Sequence, residues 1–182
     1  MIYESHYWKD DLLKRADSLA KRANQRRWPD ASLAKIEQDV MLIAYSTRKL
    51  MEAGKLSNQT AATAVPVSSY AAIGKPVHRM NWHRLDELYD VANPSATSIS
   101  VKDLCNQIIH SYVFVVSAGE NGLEGFLVAS DRDRNKRLLD VSLPAFLDTV
   151  RIIGTDFPNS VSWTWDTKLG DYAVDAKNEP RP

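Results

Sequence analysis

The stretch VKDLCNQIIHSYVFVV, residues 101–116, brings together the chain's single cysteine, Cys105, an asparagine, Asn106, and a histidine, His110. A thiol beside an imidazole is the makings of a nucleophilic pair, because histidine can draw the proton from sulfur. Helical spacing argues against that pair. Five residues turn a helix by about 500°, so the side chains of Cys105 and His110 diverge by about 140°. Cys105 also falls on the apolar side, where a free thiol behaves as a small hydrophobe with a high pKa. Asn106 and His110 are four apart and share a face. An imidazole there has two uses. It can move protons near neutral pH, or it can bond the last carbonyls of its own helix, favoured by the helix dipole.

Other candidates are thinner. His78 and His83 in HRMNWH straddle a loop-to-helix boundary and lack a third ligand, so they read as surface residues rather than a metal site. The chain has no phosphate-binding glycine loop, no Gly-x-Ser-x-Gly turn and no cysteine pair for zinc. The basic cluster Lys21, Arg22, Arg26 and Arg27 has the composition of an RNA-backbone contact, and more commonly of the wet face of a helix. Trp163 and Trp165 alternate with polar residues on one strand face. They suit a base-stacking platform, and more readily packing in the core or at a dimer interface.

The elements that must position these residues follow from periodicity. Trp8, Leu12, Ala16, Leu19 and Ala23 mark an amphipathic helix over about 4–27. After Pro29, the positions Leu33, Ile36, Val40, Ile43, Thr47 and Leu50 define a second long helix to about residue 53, with Gly54 at its left-handed cap. Residues 57–80, small, polar and broken by Pro66, Gly74 and Pro76, read as a long connection. A short helix follows, capped by Asn81 and ended by Asn93-Pro94. Ser100 and Asp103 resemble a capping box for a helix over about 100–111. There Val101, Leu104, Cys105 and Ile108 face inward, and Asp103, Asn106 and His110 form a polar stripe.

Beyond residue 111 the period changes to two. YVFVVSA and LEGFLVAS make a hairpin turned at Asn121-Gly122, and LLDVS is a third strand after the charged turn DRDRNKR. SLPAFLDTVRIIG reads as a helix capped by Ser142 and closed by Gly154, VSWTWD as a further strand, and AKNEPRP as a tail. The fold class is therefore α+β. One domain over 1–178 is expected, helical to about residue 112 and β-rich over about 112–175, with 179–182 as tail.

Composition narrows the setting. The 182 residues carry 23 Lys and Arg against 23 Asp and Glu, so no global field favours DNA, RNA or an anionic membrane. Residues 1–60 hold 11 basic and 8 acidic residues, and residues 111–182 hold 8 and 11, a mild asymmetry. One cysteine permits no intrachain disulfide, the N-terminus lacks the apolar core of an export signal, and no apolar run approaches the ~20 residues of a membrane span. A cytoplasmic protein without membrane partner, cofactor or metal is expected.

The segment CNQIIH resembles the signature of HEPN domains, helical bundles of bacterial toxin, defence and RNA-processing systems. Their motif is an arginine, a polar residue, a short apolar spacer and a histidine. Asn106 matches the polar residue, Ile108 and Ile109 the spacer, and His110 the histidine, while Cys105 occupies the arginine position. The resemblance covers about residues 1–112 and implies an antiparallel helical bundle, a homodimer and RNA as partner. In active members two motifs converge without metal. The ribose 2′-hydroxyl attacks the adjacent phosphate while histidine transfers protons and arginine stabilises the phosphorane. A thiol supplies no cation, and Arg48 and Lys49, near the end of the second helix, are the substitutes the sequence offers. Two functions follow. One is a non-catalytic, degenerate HEPN-like binding or regulatory protein in a defence or toxin–antitoxin setting. The other is a divergent metal-independent endoribonuclease using His110 and Asn106, with Arg48, Lys49, Arg26 and Arg27 as nucleic-acid contacts.

Overall fold

In the computed structural model, which describes residues 2–168 and 170–179, amphipathic helices lie against one face of an antiparallel sheet and one short helix against the other. The helices are α1 (Ser5–Lys21), α2 (Asp30–Glu52), α3 (Asn58–Ala62), α4 (Leu85–Leu88), α5 (Val101–Ile109) and α6 (Leu143–Thr155). The strands are β1 (Ala64–Ala71), β2 (Ser95–Ser100), β3 (Ser111–Gly119), β4 (Gly122–Ser130), β5 (Arg137–Ser142), β6 (Ser160–Asp166) and β7 (Asp171–Lys177). Five strands form one sheet in the order β2-β1-β5-β4-β3, and β6 and β7 form a separate hairpin. All pairings are antiparallel.

The α+β class and the antiparallel sheet agree with the sequence. An N-terminal part helical to residue 112 does not, because β1 and β2 lie inside it. The whole of β1 falls in the stretch read as a connection. Its inward residues are Val65 and Val67, and Pro66 sits opposite Ser98 of β2, before pairing with β5 begins at Ser68. A proline that lacks a donor is tolerated where one side of the strand is unpaired. The buried faces of α1 and α2 therefore close onto strands as well as onto each other.

Alternation along the strands builds two apolar clusters. Phe126, Val128, Leu139 and Val141 meet Leu12, Leu19, Ile36, Ile43, Ile108 and Phe146 on the helix side. On the other face, Val113, Ala129 and Leu138 pack with Val77, Leu88 and Tyr89 from the excursion between β1 and β2. With both faces covered, β4 reads as a nearly unbroken apolar run.

Several boundaries moved. α1 stops at Lys21 and a single 3-10 turn carries the chain to Asn24, so Arg26 and Arg27 lie in a connection rather than on the helix. α2 ends as expected: Gly54 has φ 64°, its N–H donates to Met51 O, and Lys55 N–H donates to Leu50 O. Gly154 is not a terminus, since α6 continues to Thr155. A Cβ on Gly154 would lie 2.6 Å from the Leu13 side chain, so the glycine serves the close approach of α1 to α6. The short helix in the excursion is confined to Leu85–Leu88, and β7 takes in Ala176 and Lys177 from the expected tail. Trp163 and Trp165 are not packed in the core: each is 53% exposed. Their hairpin is not joined to the main sheet, and of β7 only Ala176 is buried. Among the described residues no helix is long and apolar enough to cross a membrane.

Candidate functional site

α5 begins with a cap that the sequence specifies. Ser100 Oγ accepts from the Asp103 N–H at 3.0 Å and donates to Asp103 Oδ2 at 2.7 Å. Val101, Leu104, Cys105 and Ile108 are buried against the core. His110 is the C-cap residue, its N–H donating to Asn106 O at 3.1 Å and its carbonyl accepting from the Asp131 N–H at 3.0 Å. The backbone of His110 thus ties α5 to the end of β4, while its side chain is exposed and makes no hydrogen bond or ion pair among the described residues. The Asn106 side chain is likewise without a partner among the described residues. The use of His110 as a cap through its imidazole is therefore not the one observed.

The residue that joins α5 to the sheet is Gln107, which the sequence reading passed over. Its Nε2 donates to Asp133 Oδ2 at 2.7 Å, and its Oε1 accepts from the buried Ser130 N–H at 2.9 Å. Asp133 also receives Lys136 Nζ at 3.4 Å and Arg137 Nη2 at 3.5 Å. Burial alone would raise the Asp133 carboxyl, but the Gln107 bond and the Arg137 and Lys136 charges hold it below the usual carboxylate range. Asp133 in turn anchors its own turn. Its N–H donates to Ser130 O, and its carbonyl accepts from Lys136 and Arg137.

Between α5, the end of β2 and this turn opens a polar cleft of about 860 Å³. Asn106 and His110 line it together with Ser98, Ser130, Arg132, Lys136 and Arg137. Asp103, Asp131 and Asp133 line it too, so fixed charges balance. Their partners differ. Asp131 faces Arg134 at 3.1 Å, and Arg134 also lies 3.8 Å over the Tyr112 ring. Arg132 is exposed and has no ion pair among the described residues. The cleft thus offers an imidazole, a carboxamide and a guanidinium with no internal partner. Such a set recognises a hydroxyl-bearing anion, with arginine able to grip a phosphate through two parallel bonds.

The other expected residues lie elsewhere. Arg48 and Lys49 are both held by Glu52, at 3.0 and 2.8 Å, and neither lines the cleft. Arg26 and Arg27 do not line it either. Cys105 is buried, and burial pushes its thiol up to about 12, with Arg48 pulling slightly the other way. His78 Nδ1 accepts the Met80 N–H, and no group of three metal-ligating side chains occurs among the described residues. The charged turn DRDRNKR supplies the cleft's three cations, Arg132, Lys136 and Arg137.

No family model, curated protein or solved structure matches the chain.

Proposed function

We propose that the chain is a non-catalytic RNA-binding protein whose cleft at the end of α5 receives a phosphodiester strand. One observation carries the reading: His110, Asn106 and Arg132, all without internal partners, line one open cleft with three serine hydroxyls. Arg132 meets a phosphate oxygen pair, while Asn106 and His110 bond the ribose hydroxyls and the adjoining phosphate. Lys136 and Arg137 are drawn toward Asp133, so they add attraction at longer range. What the HEPN resemblance contributes is confined to the motif from Cys105 to His110 and to RNA as the ligand class. The defence or toxin–antitoxin setting stays with that resemblance.

A second reading is favoured by the unpartnered imidazole itself. In a metal-independent ribonuclease the 2′-oxygen would attack phosphorus, the 5′-oxygen would leave with a proton, and His110 would carry one of the two proton transfers. Arg132 would replace the missing motif arginine in facing the phosphorane. That chemistry needs a second proton-transfer group, which a homodimer with two apposed histidines would supply.

Fluorescence anisotropy of labelled single-stranded RNA in low-salt buffer containing EDTA tests both. Saturable binding that weakens roughly tenfold in Arg132→Ala and in His110→Ala, with melting unchanged and the RNA intact, is the expected result. Products ending in a 2′,3′-cyclic phosphate, lost in His110→Ala, would select the ribonuclease. Absence of saturable binding at low salt overturns both readings.

A further inference from the structure

The fold regroups the basic cluster at the end of α1. Arg26 and Arg27 leave with the connection to α2, while Lys21 and Arg22 are joined by Lys14, about two helical turns earlier on the same face. These three cations, with Ser18 and Gln25, line an open hollow of about 350 Å³. The lining carries three positive charges and no carboxylate. None of the three makes an ion pair among the described residues, and the neighbouring carboxylates Asp11 and Asp39 are taken by Arg15 and Lys35. Asp17, between Lys14 and Lys21 in sequence, does not line the hollow and pairs with neither.

A helix C-terminus draws cations, and this accounts for Lys21 in the last turn of α1. It does not account for Lys14, because the dipole acts only within that last turn. Nor does it explain how Arg22 is held. Gln25 Oε1 accepts from Arg22 Nη1 at 2.8 Å, and Gln25 Nε2 is fixed in turn on Arg27 O at 2.6 Å and Ser32 Oγ at 3.0 Å. The 3-10 turn between them is pressed by the β3–β4 turn, where Gly122 lies directly against the Ala23 carbonyl. Arg22 Nε and Nη2 have no hydrogen-bond partner among the described residues. A neutral side chain thus places the guanidinium and leaves its charge unmet.

The sign of the lining selects an anion, and its density selects the kind. A phosphodiester brings one negative charge per phosphate, whereas a phosphomonoester approaches two near neutral pH, spread over three oxygens. Three cations around one small hollow match the second, with a guanidinium able to take two oxygens at once. We propose that the hollow at the end of α1 is a binding site for a phosphomonoester, charge-paired with Lys14, Lys21 and Arg22. The group arrives either on a small phosphate ester or on a phosphorylated side chain of a protein. Both present the same dianion, and neither depends on the RNA reading of the α5 cleft.

Calorimetric titration at about pH 7.5 and fixed low ionic strength, where the monoester is doubly charged, provides the test. Glycerol 3-phosphate and a phosphoserine peptide are the monoester probes, and dimethyl phosphate is the singly charged diester. The expected result is saturable binding of a monoester and binding at least roughly tenfold weaker with the diester. Tighter binding of the peptide points to a phosphorylated protein, and the reverse order to a small ester. Lys14→Gln and Lys21→Gln each remove one charge at an exposed position, so each should weaken binding roughly fivefold with melting unchanged. Arg22→Lys keeps the charge, loses the planar fork, and should weaken binding roughly threefold. Equal binding of the diester, no saturable response to either monoester, or full binding by any of these folded variants overturns the proposal. Loss of the response in Arg132→Ala, with both lysine variants binding like the parent chain, would place the phosphate in the α5 cleft and overturn it as well.

Discussion

Gln107 shows how a single neutral side chain can set a charged site. It lies at the inward-facing end of α5, where the helical period calls for an apolar residue, and is only 8% exposed. Its amide uses a donor and an acceptor, one for Asp133 and one for the buried N–H of Ser130. Replacing it with leucine keeps the volume and removes both bonds. The Ser130 N–H is then left without a partner, and an unmet buried polar group costs about 1–3 kcal/mol. Urea unfolding of Gln107→Leu at neutral pH should show a loss of about 2 kcal/mol. The pH dependence has a definite sign. Asp133 is held below its unfolded value near 3.8, so its contribution is fully present above that pH and is lost as the solution is acidified through the lower folded value. Gln107→Leu removes a main cause of that depression, so the gap between variant and parent should narrow below pH 4. A gap constant from pH 7 to pH 2 would show that the bond does not favour the ionised carboxyl.

At the scale of elements, the β3–β4 hairpin is fastened at its turn from both sides. Gly122 has φ 116°, and a Cβ there would lie 1.7 Å from the carbonyl oxygen of Ala23 in the 3-10 turn. Across the turn, Trp28 Nε1 donates to Gly119 O at 3.1 Å. Gly122→Ala therefore combines backbone strain with a collision against backbone that cannot yield, and should cost about 3 kcal/mol. Gly74, with φ 89° and nothing within 4 Å of an added Cβ, isolates the strain alone, and Gly74→Ala should cost about 1 kcal/mol. Equal melting shifts for the two variants would contradict the collision. This hairpin was legible in the sequence because its register is local and its turn residues are diagnostic. β1 and β2 were not. In β2 only Ile99 is buried, and β1 acquires partners some thirty and seventy residues away. Small and polar residues with distant partners look like a loop until the sheet is assembled. The shared cleft of Asn106 and His110 was legible in their spacing on α5. Its cations were not, since Arg132 reaches the cleft through the turn between β4 and β5, and Arg48 is turned away by its pairing with Glu52.

For the whole molecule, the arrangement turns on a charge inside the helical layer. Lys9 of α1 is fully buried, and its ammonium donates to the carbonyl of Lys55 at 2.8 Å and to that of Asp156. Those carbonyls follow the C-terminal ends of α2 and α6, where the helix dipoles favour a cation. One side chain thus gathers three helices, and the Phe157 ring covers it. Asp156 extends the same knot, its carboxylate accepting the Ser57 N–H at 2.7 Å and the Asn178 amide at 2.6 Å. Burial brings the Lys9 amine down to about 8, against the pull of Asp156. Because the folded value lies below the unfolded one near 10.5, the unfolded chain binds more protons between those limits, and the Lys9 contribution to stability increases as pH rises from about 8 to about 10.5. The neutral amine still has two N–H groups for the two carbonyls, so the clamp survives deprotonation. Lys9→Met keeps the chain length and leaves both carbonyls without that donor, and should cost about 2 kcal/mol at pH 7. Chemical unfolding of parent and Lys9→Met at matched pH values removes the titrations common to both. The stability gap should be flat up to about pH 8 and should widen toward pH 10.5. A gap that closes over that interval would mean that the clamp needs the ammonium charge, and that the amine alone does not hold the ends of α2 and α6 together.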